Sequence, residues 1–147
     1  MKKNNNIIHV KAVMIFIFDD DNNMLLLKRI DNDWREAVKW WFIGNENYIE
    51  AGNREIFEET WLILEDGINL FTIVEDSLIK DDWIKLLIDW HVAYGFTKWI
   101  KPVIDIDHNV DNEHYEYRWE HVSNILWIDL FPKSANTFIK GIIKKLF

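Results

Sequence analysis

Three glutamates and an arginine stand within six consecutive residues, Arg54-Glu55-Ile56-Phe57-Glu58-Glu59, and a further glutamate, Glu46, lies eight residues before the arginine. On a helix, Glu55 sits one turn from both Glu58 and Glu59, so the acids share a face. Like charges at that spacing repel and destabilise the helix unless a cation sits among them. A hard divalent ion such as Mg²⁺, which takes oxygen ligands, suits this donor set. The plainer reading of the same run is a solvated acidic helix, which explains neither Glu46 nor the apolar positions between the acids.

The segment from Trp40 to Leu62 resembles the Nudix box, whose pattern is G-x5-E-x7-R-E-U-x-E-E-x-G-U, with U an aliphatic residue. Glu46, Arg54, Glu55, Ile56, Glu58, Glu59 and Leu62 fall on that pattern without insertion or deletion. The surroundings fit. Val13-Met14-Ile15-Phe16-Ile17-Phe18 and Met24-Leu25-Leu26-Leu27-Lys28-Arg29 flank Asp19-Asp20-Asp21-Asn22-Asn23, which reads as a β-hairpin. Downstream, Glu113-His114-Tyr115-Glu116-Tyr117-Arg118-Trp119 is similar to the E-H-x-x-Y-R-W segment of one group in that family. That group includes hydrolases of dinucleoside tetraphosphates and of nucleoside or pterin triphosphates.

The resemblance implies divalent-metal-dependent hydrolysis of a diphosphate linkage, in a nucleoside polyphosphate or dinucleoside polyphosphate, by water attack at phosphorus. It implies Mg²⁺ or Mn²⁺ held by Glu55, Glu58 and Glu59, with one of these acids as an alternative general base. Glu113 is the expected further carboxylate outside the box, and a plain loop acid is its other reading. Arg54 is expected to orient a box carboxylate. Glu46 is placed either to pair with Arg54, to reach the metal through water, or simply to favour a helix N-terminus. Lys39, Arg29 and Arg35 are candidate phosphate contacts, against the usual prior of solvated charges. Trp119, with Tyr117 and Arg118, is expected to wall the pocket. Trp34, Trp41, Tyr94 and Phe96 join Trp119 as candidates for base stacking.

Two positions depart from the pattern: both box glycines are tryptophan, at Trp40 and Trp61. Glycine there allows close approach and unusual dihedrals that a side chain forbids. Three accounts compete. The box is degenerate and the domain is a catalytically impaired nucleotide-binding module; the loop has adapted to tryptophan; or the source reads UGA as glycine. The last is motivated by 9 Trp against only 5 Gly, with several Trp on expected Gly positions.

The elements needed to position these residues can be traced along the chain. Strands are expected over Ile7 to Phe18 and Met24 to Ile30, then a loop with one short strand from Asp31 to Asn45. Asn47 and Glu50 form a capping box for a helix from Tyr48 to Thr60, weakened by Gly52 at up to about 1 kcal/mol relative to Ala. Strands are expected at Leu70 to Glu75, Trp83 to Phe96 after a Lys80-Asp81-Asp82 turn, and Tyr115 to Trp119. A short helix is expected in Glu120 to Ile125. Ser134 is the expected N-cap of a helix from Ala135 to Leu146, whose Phe138, Ile139, Ile142 and Ile143 share one face. Together they make a mixed-sheet α/β/α sandwich, the Nudix fold, as a single domain over residues 1–147 with residues 1–6 frayed.

Composition restricts the alternatives. With 49% apolar and 29% charged residues, 147 residues suit one globular domain. The net charge of −8 argues against a nucleic-acid polymer as partner, although not against a nucleotide bound through a cation. The absence of cysteine excludes disulfides and thiolate chemistry. No apolar run reaches membrane-spanning length and no signal peptide is seen, so a cytoplasmic enzyme acting on a small-molecule nucleotide is expected. Dimers are common in the resembled family, and a homodimer is among the states to test.

Overall fold

The structure is a computed structural model that describes residues 6–29, 35–60, 62, 64, 66–81, 84–97, 114–130 and 132–147. In chain order the elements are β1 (Asn6–Phe18), β2 (Asn23–Arg29), β3 (Arg35–Glu36), β4 (Val38–Trp41), α1 (Tyr48–Thr60), β5 (Asn69–Asp81), β6 (Ile84–Phe96), β7 (His114–His121), α2 (Val122–Ile125) and α3 (Ser134–Leu146). The strands form one mixed sheet in the order β3-β2-β1-β6-β5, with β4 also pairing with β1 and β7 with β2. β1 and β6 run parallel along their whole length, from Asn6↔Ile84 to Phe18↔Phe96. The other pairs are antiparallel.

β1 is apolar at every position from Ala12 to Phe18 and buried at each one, as expected of a central strand covered on both faces. Its alternation divides the core. Met14, Phe16 and Phe18 pack with Ile125 of α2 and Phe138, Ile139 and Ile142 of α3. Val13, Ile15 and Ile17 pack with Ala51 and Ile56 of α1. The sheet is therefore sandwiched between α1 on one side and α2 with α3 on the other, the expected α/β/α architecture. The turn between β1 and β2 is built by Asp19, whose Oδ1 accepts from the N–H of Asp21 (2.8 Å) and of Asn23 (2.9 Å), while Asn22 adopts φ 59°. Asn tolerates that left-handed conformation better than most residues.

Several expected boundaries are corrected. β5 continues to Asp81, through Lys80-Asp81 where a turn was expected, because it pairs with β6 as far as Asp81↔Ile84. Its polar Glu75-Asp76-Ser77 stretch hides an edge strand that cross-strand hydrogen bonding carries. β7 extends to His121 because Glu120 and His121 pair with Met24 and Asn23; only Val122–Ile125 remain for α2, capped by His121, whose side chain accepts from the Ser123 N–H. The loop after β2 holds two short strands rather than one. Ser134 does not cap α3. Lys133 occupies the N-cap without a side-chain bond, and the Ser134 hydroxyl lies buried with no hydrogen-bond partner among the described residues.

Candidate active site

The box helix begins at a reciprocal cap. Asn47 Oδ1 accepts from the Glu50 N–H at 2.9 Å, and Glu50 Oε1 accepts from the Asn47 N–H at 3.3 Å. Before it, Gly44 turns the chain with φ +57°, a conformation in which a Cβ is strained. That turn brings Glu46 Oε1 to the Ile43 N–H at 2.7 Å. At the other end, the Thr60 hydroxyl bonds back to the Ile56 carbonyl and accepts from the Leu62 N–H at 3.2 Å. This local bonding competes with continuation of the helix.

Between those ends, α1 buries Ala51, Gly52, Glu55, Ile56, Glu59 and Thr60. Gly52 is a contact position rather than only a weak point. A Cβ there would stand 2.6 Å from Ile68 Cδ1 and 2.7 Å from Ile15 Cδ1, so glycine lets the helix lie close to the sheet. The helix approaches with two carboxylates turned inward, Glu55 at 1% and Glu59 at 4% exposure. Buried charges of that kind are costly unless compensated.

Arg54 is the principal compensation. Its Nε donates to Glu46 Oε2 at 2.8 Å and its Nη2 to Glu46 Oε1 at 3.1 Å, a bidentate clasp. Nη1 bonds Glu55 Oε1 and reaches Glu58 Oε2 at 3.2 Å, while Nη2 also donates to the Trp41 carbonyl at 3.1 Å. One guanidinium thus ties the end of β4, the loop and three carboxylates together. The Arg54 hydrogen bond holds Glu46 below the usual carboxylate range, against some desolvation and with help from the Ile43 N–H. Burial works against the Arg54 charge, but the bonds to Glu46 and Glu55 outweigh it and raise Arg54 above its ordinary value.

Three carboxylates, Glu46, Glu55 and Glu58, meet the Arg54 guanidinium, and Glu59 lies buried next to Glu58 in the helix. The donors are hard oxygens, and Glu58 is open to solvent with 30% of its side chain exposed; both features fit a divalent cation. Among the described residues, no three acidic or histidine side chains already converge as a ligand set. Glu55 and Glu58 are instead drawn toward Arg54.

The remaining expected site residues are placed as follows. Trp119 pairs with Leu25, and Tyr117 with Leu27; both pack on the α1 side of the sheet. Lys39 pairs with Met14, whereas its neighbour Val38 pairs with Ile15. The register sets position 39 beside Met14 on β1, and the Lys39 Nζ lies 3.2 Å from Glu36 Oε2. Arg29 ends β2 opposite His114, and its side chain lies outside the described residues. Glu113, Trp61 and Trp34 lie outside them altogether, as does the Arg35 side chain. The Trp40 backbone is extended strand paired with Val13, and Asn22 is the only non-glycine with positive φ among the described residues. At position 40 the backbone itself does not demand glycine.

Three residues that sequence reasoning passed over gather beside the loop. The His91 ring lies 4.9 Å from Phe42 and stacks on Tyr48 at 6.1 Å. Next to them opens a cavity of about 480 Å³ lined by His9, Lys11, Trp41, Phe42, Asn45 and Glu46, among others. Alternation could have found His9 and Lys11, since both share the parity of Val13 on β1.

With the fold and site in view, comparison with known proteins is decisive at the level of family. The NUDIX domain family profile matches residues 8–141. The chain belongs to the Nudix family. A search of curated proteins gives no match. Among solved structures, the Nudix chain is similar to an Escherichia coli dihydroneopterin triphosphate pyrophosphohydrolase, with TM-score 0.72 at 15% identity, covering 92% of this chain and 95% of the other. It is similar to the MutT protein of Methanosarcina mazei, with TM-score 0.68 at 17% identity over 93% and 94% of the chains. A Caenorhabditis elegans Ap4A hydrolase gives TM-score 0.64 at 16% identity over 93% and 97%. At such identities these likenesses establish the shared Nudix fold.

Proposed function

We propose that this Nudix domain, taken as one unit over residues 1–147, hydrolyses a diphosphate linkage in a nucleoside polyphosphate or dinucleoside polyphosphate, with Mg²⁺ or Mn²⁺. The observation that carries the reading is the box cluster itself, in which Arg54 gathers Glu46, Glu55 and Glu58 on one edge of α1 beside the buried Glu59. Glu55, Glu58 and Glu59 are the residues that would hold the ion, joined by Glu113. When bound, a divalent ion supplies Lewis-acid polarisation of the phosphoryl oxygens and a more acidic water.

The protein's own groups do the rest. Arg54 fixes the carboxylates in register and ties the loop before the helix to them through the Trp41 carbonyl. Glu58, more accessible than the box acids Glu55 and Glu59, would take a proton from the attacking water. Trp119 walls the α1 side of the sheet. The group that the E-H-x-x-Y-R-W segment resembles, with its dinucleoside tetraphosphate and pterin triphosphate hydrolases, supplies the first substrates to try. The test is hydrolysis of dinucleoside tetraphosphate, nucleoside triphosphates, pterin triphosphate and a nucleotide sugar, each with Mg²⁺, Mn²⁺ or chelator. Metal-dependent turnover of one substrate supports the proposal. Silence across the panel from a folded protein favours the impaired binding module.

A further inference from the structure

The cavity beside the box loop has features that the cleavage chemistry does not use. It lies where β4 leaves β1. The last contact between the two is the Phe42 N–H donating to the Lys11 carbonyl at 2.9 Å, after which β1 continues toward Asn6 with no strand on that edge among the described residues. Trp41 and Phe42 supply aromatic lining, Glu46 lies at the side nearest the box, and His9, Lys11 and Asn45 are its other polar side chains. Its volume of about 480 Å³ is in the range of small-ligand sites. Because Glu46 belongs both to this lining and to the Arg54 clasp, the cavity adjoins the carboxylates directly.

Its polar groups are unequal. Glu46 already accepts from Arg54 twice and from the Ile43 N–H. Lys11 is exposed and forms no ion pair among the described residues. Asp89, its register partner on β6, does not line the cavity. An ammonium can only donate, whereas Asn45 can donate or accept. The cavity therefore pairs aromatic lining with a lysine that can only donate and an acceptor that is already engaged.

We propose that this cavity receives the nucleobase of the substrate, and that Lys11 selects bases presenting a carbonyl acceptor, such as 6-oxopurines, over adenine. This rests on the nucleotide reading above. A lysine donating to the O6/N7 edge of a purine is favoured, while the 6-amino group of adenine places a donor against a donor.

The experiment compares equilibrium binding of inosine and adenosine 5′-monophosphates, which differ only on the 6-oxo/N1–H against 6-amino/N1 edge. Because the 6-oxo base also carries N1–H where adenine has an N1 acceptor, binding is followed by calorimetry on both the wild type and Lys11→Met, without relying on turnover. The expected result is a preference for inosine monophosphate of about tenfold or more, the factor a good base-edge contact provides. In Lys11→Met it should collapse toward unity with adenosine monophosphate binding unchanged. Equal binding by the wild type, no binding of either, or an equal loss of both in Lys11→Met overturns the proposal; the last assigns Lys11 to the phosphate. A base preference without hydrolysis of any substrate would refute the catalytic reading and leave the base site standing. Hydrolysis with equal binding would do the reverse.

Discussion

Replacing Arg54 with methionine removes the guanidinium while keeping much of the apolar stem. Glu46 loses its bidentate partner, and Glu55, which is almost wholly buried, loses its bond to a cation. Breaking one side of a buried ion pair costs about 3–5 kcal/mol. Here 21% of the Arg54 side chain and 30% of Glu58 are exposed, so water recovers part of the loss. A destabilisation of about 3 kcal/mol is expected, a fall in Tm of about 9 °C for a domain of this size.

The pH dependence supplies a second check. In the wild type, the lowered Glu46 pKa contributes stability that is present above the unfolded value and lost only as pH falls through the folded one. In Arg54→Met that contribution is absent. The difference in Tm between variant and wild type should therefore shrink as pH falls below about 4.5, the ordinary carboxylate value, and through the folded Glu46 value. Calorimetric melts across that range measure it. A drop under about 3 °C at pH 7, or a difference that does not narrow, would refute the assignment of Arg54 as the clasp of the box.

Two further predictions concern small residues of the box and their replacements. Gly52→Ala gains about 1 kcal/mol of helix propensity, but its Cβ meets Ile68 and Ile15 at once, and overpacking typically costs about 1–3 kcal/mol. A net loss of about 1 kcal/mol in urea unfolding is expected, and a clear gain would show that α1 lies further from the sheet. Restoring glycine at both Trp40 and Trp61 should raise Mn²⁺ affinity or turnover, measured by titration and initial rates. No change in either means that the loop has adapted to tryptophan. Mass spectrometry of peptides from the native source would test the UGA account, since Trp at position 61 rules it out.

What could be read from the sequence depended on how local its physical cause was. The box helix was legible from Tyr48 to Thr60 because its cap is a sequence-adjacent pair, Asn47 and Glu50, and its apolar positions repeat at helical spacing. β1 was legible because its continuous apolar run suits a strand covered on both faces. The far half of β5 was not, because Glu75-Asp76-Ser77 is held by pairing with β6, and a single segment does not display its partner. Ser134 looked like a cap by type, yet the helix starts one residue earlier than expected and buries the hydroxyl instead. At the site, the spacing of Glu46, Arg54, Glu55 and Glu58 identified groups that prove to touch. The Lys39 contact with Glu36 was not legible, because it joins two short strands across a break rather than following one repeat. The neighbourhood of Phe42, Tyr48 and His91 joins three separate elements, and only the tertiary fold brings it together.

The most direct test of the proposed chemistry is the initial rate of diphosphate cleavage for the wild type and Glu58→Gln, each with Mg²⁺ or Mn²⁺ and with chelator. The proposal predicts turnover by the wild type only with metal. It predicts none detectable by Glu58→Gln, whose melting temperature should stay equal or rise slightly as like-charge repulsion is relieved. Full activity in Glu58→Gln, or wild-type cleavage that persists in chelator, would contradict the assignment of the box carboxylates to a catalytic metal site.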